Sequence, residues 1–151
     1  MTDEREHHIT LRYQHGYEFV ADFTDDDGLP SIQFDEPPPL GEGHAPNAAA
    51  VLGAAVGNCL AASFAFCLRK VRLEIADLTV RVTTHVGRNE QGRFRVTGID
   101  VTLAPEIHSQ DRARIGRCED LFEDFCIVTE SVRRGIPVNV TVTAPAAVSQ
   151  A

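Results

Sequence analysis

Cys59, Cys67, Cys118 and Cys126 fall in two pairs, each pair separated by eight residues. Thiols can cross-link, bind metal or attack an electrophile, and spacing separates these options. On a helix, residues eight apart lie about 12 Å apart along the axis, whereas a disulfide needs Cα atoms within about 7 Å. Neither pair can therefore close on itself. The same separation excludes a four-thiolate zinc site, whose sulfurs must all stand about 2.3 Å from one ion. Pairing between helices remains. Cys59, Ser63 and Cys67 share one i, i+4, i+8 ridge, and Cys118, Phe122 and Cys126 share another; such ridges pack side by side in the commonest helix contact. An antiparallel arrangement brings Cys59 to Cys126 and Cys67 to Cys118. A parallel one brings Cys59 to Cys118 and Cys67 to Cys126, and the spacing leaves both open. The plain alternative is four buried core cysteines, the favoured reading for Cys67 and Cys118.

The elements that must position these thiols follow from patterning. Ala45 to Leu68 contains no charged residue and is too long for a strand. A helix apolar on every side is buried in a domain or in a membrane. Asn47, Asn58 and Ser63, a composition rich in Ala, and flanks that alternate like strands favour the domain. Pro46 and Asn47 suit the helix start, and Arg69-Lys70 its C-terminal end. Gly53 and Gly57 would let another helix approach closely, and ordinary core packing is the plainer reading of the same two residues.

Before this helix, His8 to Gln14 and Tyr17 to Phe23 alternate in period two around the His15-Gly16 turn, and Ser31 to Asp35 is a third strand. Pro37-Pro38-Pro39 with Gly41 and Gly43 forms an extended connector. After it, Asp77 to Gly87 and Phe94 to Leu103 make a second hairpin. Asp111 to Arg134 then carries Ile115, Cys118, Leu121, Phe122, Phe125, Cys126, Thr129 and Val132 at helical spacing, and Gly135 stops it. Pro137 to Thr143 is a last strand. The expected order is βββ-α-ββ-α-β, an α+β fold in one domain over 1–151, with flexible tails at 1–7 and 144–151.

With Asp+Glu 22 against Lys+Arg 14, the net charge is -8, which opposes phosphate backbones and anionic lipid heads. Nucleic acid and membrane are not expected as partners, and neither a metal nor another cofactor is. The amino-terminal MTDEREHHIT lacks the basic end and apolar run of a secretory signal, so the expected location is the cytoplasm, where thiols are kept reduced.

Asp35-Glu36-Pro37-Pro38-Pro39-Leu40-Gly41-Glu42-Gly43, followed by a Pro46-Asn47 helix start and the Ala-rich helix holding Cys59, resembles the OsmC/Ohr family. That family is named for osmotic induction and organic hydroperoxide resistance. Cys126, Gly135-Ile136 and the alternating Val138, Val140 and Val142 are similar to its second cysteine and closing strand. The resemblance runs from about His8 to Thr143. It implies an intertwined homodimer in which two antiparallel sheet units wrap two central helices, with a thiol site at the subunit interface. It further implies thiol-dependent reduction of hydroperoxides, Cys59 attacking and Cys126 resolving, and so the antiparallel arrangement. Family members active on organic hydroperoxides carry a Glu where this chain has Ala49, and an Arg around the first hairpin turn, where it has Gln14-His15. Ile127 stands where a Pro commonly follows the second cysteine, so the helix is expected to continue through Cys126.

A free thiol is only a few per cent ionised at neutral pH, and Cys59 lies beyond the first turn of its helix, where the dipole would help. A cation is needed, and Arg12, His15, His44, Arg114 and Arg117 are the candidates. His15 comes first because its turn corresponds to the family's Arg, although a solvated turn histidine is the plainer reading. Attack would leave a sulfenic acid on Cys59, which condenses with Cys126 and is restored by a cellular dithiol. An apolar pocket of Leu60, Ser63, Phe64, Phe122 and Phe125 would favour alkyl or lipid hydroperoxides. The missing charged partners leave two other readings: a non-enzymatic protein binding an apolar ligand at the interface, and a thiol-disulfide sensor using Cys67 and Cys118 as a second pair.

Overall fold

The computed structural model describes residues 3–149. β1 (Ile9–Tyr13), β2 (Phe19–Phe23) and β3 (Ile32–Phe34) form one antiparallel sheet in the order β1-β2-β3, and β4 (Asp77–Arg88) and β5 (Phe94–Glu106) form a second. In the chain, α1 (Ala48–Lys70) follows β3 and precedes β4. Asn47 caps it by accepting the Ala50 N–H at 3.0 Å, and Arg69 and Lys70 occupy its last turn, where cations oppose the partial negative charge of the free carbonyls.

α1 packs on the β4–β5 hairpin. Leu78, Val80, Val82 and Thr84 alternate inward along β4 until a bulge between His85 and Val86 breaks the register. From β5, Ile99, Val101 and Leu103 pack against the core. The approach is close because Gly53 and Gly57 present no side chain. A Cβ at Gly53 would strike the Thr84 hydroxyl, and one at Gly57 would stand 2.5 Å from a Val82 methyl. Within the chain these glycines admit β4, which is the core-packing alternative rather than a second helix. Val56, Leu60, Phe64 and Leu68 form the buried ridge of α1, and Leu73, Cys118, Phe122 and Cys126 close over it.

The connector from Asp35 to His44 is built around a buried carboxylate. Asp35 accepts the N–H groups of Glu36, Glu42 and His44 at 2.8, 3.3 and 3.0 Å. These bonds, that of His44 foremost, hold its pKa below the ordinary carboxylate range against the opposing effect of burial. A side chain at Gly41 would collide with the Glu36 carbonyl, so only glycine fits this loop.

Two expected elements differ. The helix over Asp111 to Arg134 is instead a 3-10 turn (Ser109–Arg114), α2 (Gly116–Leu121), a second 3-10 turn (Phe122–Phe125) and α3 (Ile127–Arg134). Cys126 is extended, with φ -84° and ψ 99°, so the helix does not continue through it. Its sulfur instead faces Thr129, three residues on at the start of α3. The last strand, 137–143, has no strand partner among the described residues; Val138, Val140 and Val142 are 81%, 81% and 90% exposed. A strand needs a neighbour to bond to. Of the expected tails, residues 3–7 and 144–149 are exposed without regular structure, and 1, 2, 150 and 151 lie outside the described residues.

Gly57→Ala tests the close approach. A helix-interior alanine gains about 1 kcal/mol, but overpacking against a stiff β-branched side chain costs about 1–3 kcal/mol. The urea midpoint should therefore fall by the equivalent of about 1 kcal/mol; an unchanged or higher midpoint would show that β4 gives way.

Candidate functional site

α1 places Cys59 and Cys67 two turns apart, and the segment from Gly116 to Cys126 crosses it in the opposite sense. Cys67 therefore meets Cys118, and Cys59 meets Cys126. Cys67 and Cys118 are joined by a disulfide with Cα atoms 5.6 Å apart, where the sequence favoured two core thiols. Cys118 does lie in the core, fully buried; a buried thiol and a half-cystine leave the same apolar mark in a sequence. Cys59, half-buried, and Cys126, only 1% exposed, are free thiols, close enough for each to shift the other's ionisation.

The surroundings of the two free thiols differ. Burial pushes Cys126 up, yet the Cys59 thiol, the Thr129 hydroxyl and N–H, and the Ser63 hydroxyl outweigh it and hold Cys126 below the ordinary thiol range. Cys126 Sγ and Thr129 Oγ1 are 2.8 Å apart, and both hydroxyl residues are buried. Cys59 is pushed up by burial first and then by Cys126, against the lowering effect of the Val128 and Thr129 N–H groups. When the pair loses its first proton, the charge rests on Cys126 and the remaining proton on Cys59. The first turn of α3 gathers around both sulfurs, where its free N–H groups favour negative charge.

Cys59 opens onto a cavity of about 340 Å³ lined by Ala62, Ser63, Phe66, Phe125 and Ile127. Of the pocket expected from the sequence, Ser63 and Phe125 stand here. Leu60 and Phe122 line a different cavity, of about 560 Å³, between α1, β5 and α3. Phe64 lies in the core, edge-on to Phe122 with ring centroids 5.3 Å apart. Phe66 and Ile127 complete the lining unexpectedly. Residues 59, 62, 63 and 66 follow the i, i+3, i+4, i+7 pattern of one helix face, a signal sufficient to find Phe66. Ile127 has no local signal, because its direction depends on the extended Cys126.

None of the expected cations lines this cavity. His15 Nε2 is 3.1 Å from Glu18, and Arg12 pairs with Asp22. Arg114 donates to the Val71 carbonyl and stands 3.5 Å from Asp111, and Arg117 is exposed. His44 Nδ1 lies 2.8 Å from Glu18 and 3.3 Å from Glu42. The Glu18 hydrogen bond and the Glu42 charge raise the pKa of His44. Glu18, Glu42 and His44 are also the described group whose metal-ligand atoms come within 4.8 Å of one another, but ion pairs already occupy them. Ala49 lines a third cavity, of about 770 Å³, between α1 and β4.

Thr129→Val removes the hydroxyl that accepts from the protonated Cys126 and would donate to its thiolate; because the bond to the charged form is the stronger, the first ionisation of the pair should move to higher pH. Ultraviolet thiolate absorbance against pH reads this directly. An unmoved midpoint would mean that Thr129 does not hold the charge.

Residues 41–141 match the model of the family described as OsmC-like protein. Among solved structures, an OsmC-like protein of unknown function from Vibrio cholerae superposes with a TM-score of 0.69 at 17% identity, covering 85% of this chain and 94% of that one. An organic hydroperoxide resistance protein OsmC from Legionella pneumophila gives 0.65 at 16%, covering 86% and 92%. The organic hydroperoxide resistance protein OhrB of Bacillus subtilis gives 0.59 at 19%, covering 85% and 91%. No curated protein matches the chain. A family match across most of the sequence, on a fold shared along nearly the whole length of these structures, makes this chain a divergent member of the OsmC-like family.

Proposed function

We propose that this chain is a cytoplasmic, homodimeric thiol peroxidase acting on organic hydroperoxides through Cys59 and Cys126. The observation that carries the reading is the pair itself: two free thiols brought together from distant segments beside an apolar cavity. Accessibility supports Cys59 as the attacking thiol, because Cys126 is enclosed.

The proton on Cys59 first passes along the thiol–thiolate hydrogen bond to Cys126. The Cys59 thiolate then attacks one peroxide oxygen and the O–O bond breaks, leaving a sulfenic acid on Cys59 and an alkoxide. Cys126 returns its proton to the alkoxide, which leaves as the alcohol. The Cys126 thiolate next attacks the Cys59 sulfur, forming the disulfide and releasing hydroxide, which takes a proton from water. A cellular dithiol reduces the disulfide by exchange. In this scheme Cys126 supplies the proton transfer for which no charged side chain is present in the cavity. Phe66, Phe125 and Ile127 would bury the alkyl tail of the substrate.

The homodimer is supported by what one chain leaves uncovered. The outer face of α1 presents Phe66, β1 presents Ile9, Leu11 and Tyr13 in alternation, and Val138, Val140 and Val142 await a sheet edge. A second chain would cover these surfaces. The uncharged lining of the Cys59 cavity also favours a second reading, a non-enzymatic protein binding an apolar ligand at the dimer interface.

Cumene hydroperoxide consumption in the presence of a dithiol separates the two. The wild type should consume the peroxide and accumulate a Cys59–Cys126 disulfide once the dithiol is withdrawn. Cys59→Ser should fall to the rate without protein, and Cys126→Ser should turn over slowly and accumulate oxidised Cys59. Unreacted peroxide with both thiols still free would put the binding reading first.

A further inference from the structure

We infer that Cys67 and Cys118 form a second redox site, whose disulfide pins the segment carrying Cys126 onto α1 and whose opening by a dithiol withdraws Cys126 from Cys59. The inference deepens the peroxidase reading, and its labelling test does not depend on peroxidase activity.

The segment from Cys118 to Cys126 has little else to hold it. Its inward side chains are Cys118, Phe122 and Cys126, while Glu119, Asp120, Leu121, Glu123, Asp124 and Phe125 are all exposed. Its helical pieces, α2 of six residues and a 3-10 turn of four, are too short to be stable without tertiary support. Two contacts therefore fasten it to α1, the disulfide and the edge-on packing of Phe122 on Phe64, while Cys126 itself is bonded to Thr129 of α3. Glu119, Asp120, Glu123 and Asp124 gather negative charge on the segment. Of these, Glu123 is paired, with Arg133 at 2.6 Å. Glu119 and Glu123, and Asp120 and Asp124, stand four apart, and such like-charge pairs weaken the segment's own helical pieces once the covalent anchor opens.

The chemistry is ordinary thiol exchange. A thiolate of the dithiol attacks Cys67 Sγ, on the half-exposed α1 residue, and the bond to Cys118 breaks. The second thiol of the reductant then displaces Cys67. Two electrons and two protons pass to the pair, and the reductant leaves as a disulfide; an oxidised dithiol reverses each step. α1 keeps Cys59 in place throughout, because its ridge is buried against β4 and β5. What changes is whether Cys126 stands beside it, and so whether a sulfenic acid on Cys59 is resolved or oxidised further.

The test uses the full-length chain in two states: as purified, with Cys67–Cys118 closed by intact mass, and after dithiothreitol followed by desalting. Labelling by N-ethylmaleimide is timed at each cysteine by peptide mapping. Cys126 should label about tenfold faster or more in the open state, Cys59 should change little, and closure with oxidised dithiothreitol should restore the slow rate. A Cys67→Ala/Cys118→Ala variant should behave as the open state; if it fails to fold, reduced and reoxidised wild type alone decide. On diamide treatment the closed state should form the Cys59–Cys126 disulfide faster than the open one. Equal labelling of Cys126 in both states, or a Cys67–Cys118 bond that resists dithiothreitol in the folded protein, would overturn the inference. Faster labelling without peroxide consumption would uphold it while removing the peroxidase reading.

Discussion

A helix of 23 residues with no charge before its last turn has to be covered on every side or face water at a cost that scales with its apolar area. Much of this structure answers that constraint. β4 and β5 cover one side, so closely that glycine is the only residue fitting at two contact positions. The segment from Gly116 to Arg134 covers a second, through Cys118, Phe122, Cys126 and, from α3, Val128 and Val132. A third side stays open, and the cavities bordering Ala54, Asn58 and Phe66 lie along it. By length and hydropathy alone α1 could cross a membrane. Its ridge of Val56, Leu60, Phe64 and Leu68 buried under protein argues that its solvent is this fold, together with whatever covers the third side.

Covering a helix with short irregular pieces rather than one long helix exposes backbone ends, and the buried polar groups fall where those ends are. Asp35, Ser63 and Thr129 are the buried polar side chains among the described residues. Asp35 satisfies three N–H groups of the connector. Ser63 and Thr129 both serve the sulfur of Cys126, which stands where the chain breaks before α3. The break and the polarity have one cause. An extended residue at 126 turns its side chain back over the start of α3, where the donors are, whereas a continuous helix would have left those N–H groups bonded to carbonyls.

The legible parts of the fold were those fixed by local period. Alternation located β1, β2, β4 and β5 within a few residues, and the uncharged run located α1 with its Asn47 cap. The break at Cys126 was not legible, because Cys118, Phe122 and Cys126 continue the helical period through it and neither Gly nor Pro marks the spot; tertiary hydrogen bonds override the pattern. The pocket was half legible. Neighbouring residues on a helix point about 100° apart, so Leu60 and Phe64 went to the core while Cys59 and Ser63 faced the cavity. The strand at 137–143 was visible as alternation, but alternation names no neighbour, and among the described residues no strand pairs with it.

The missing charges also have a physical reading. A guanidinium beside a buried thiolate stabilises it strongly in a low dielectric, but burying that cation carries a desolvation cost of its own. Hydroxyls and amides stabilise an anion less, and they cost little to bury when they are already bonded. Ser63, Thr129 and the start of α3 form such an arrangement around Cys126, and they place the charge on the enclosed sulfur while the proton stays on the accessible one. A pair poised in this way protects its exposed thiol from adventitious oxidation at rest, because a protonated thiol is a poor nucleophile. In the proposed cycle it becomes reactive only when its proton moves to Cys126. In that cycle the reactivity of Cys59 is tied to the presence of Cys126 beside it, and in the further inference, through the segment between residues 118 and 126, to the bond that holds that segment on α1.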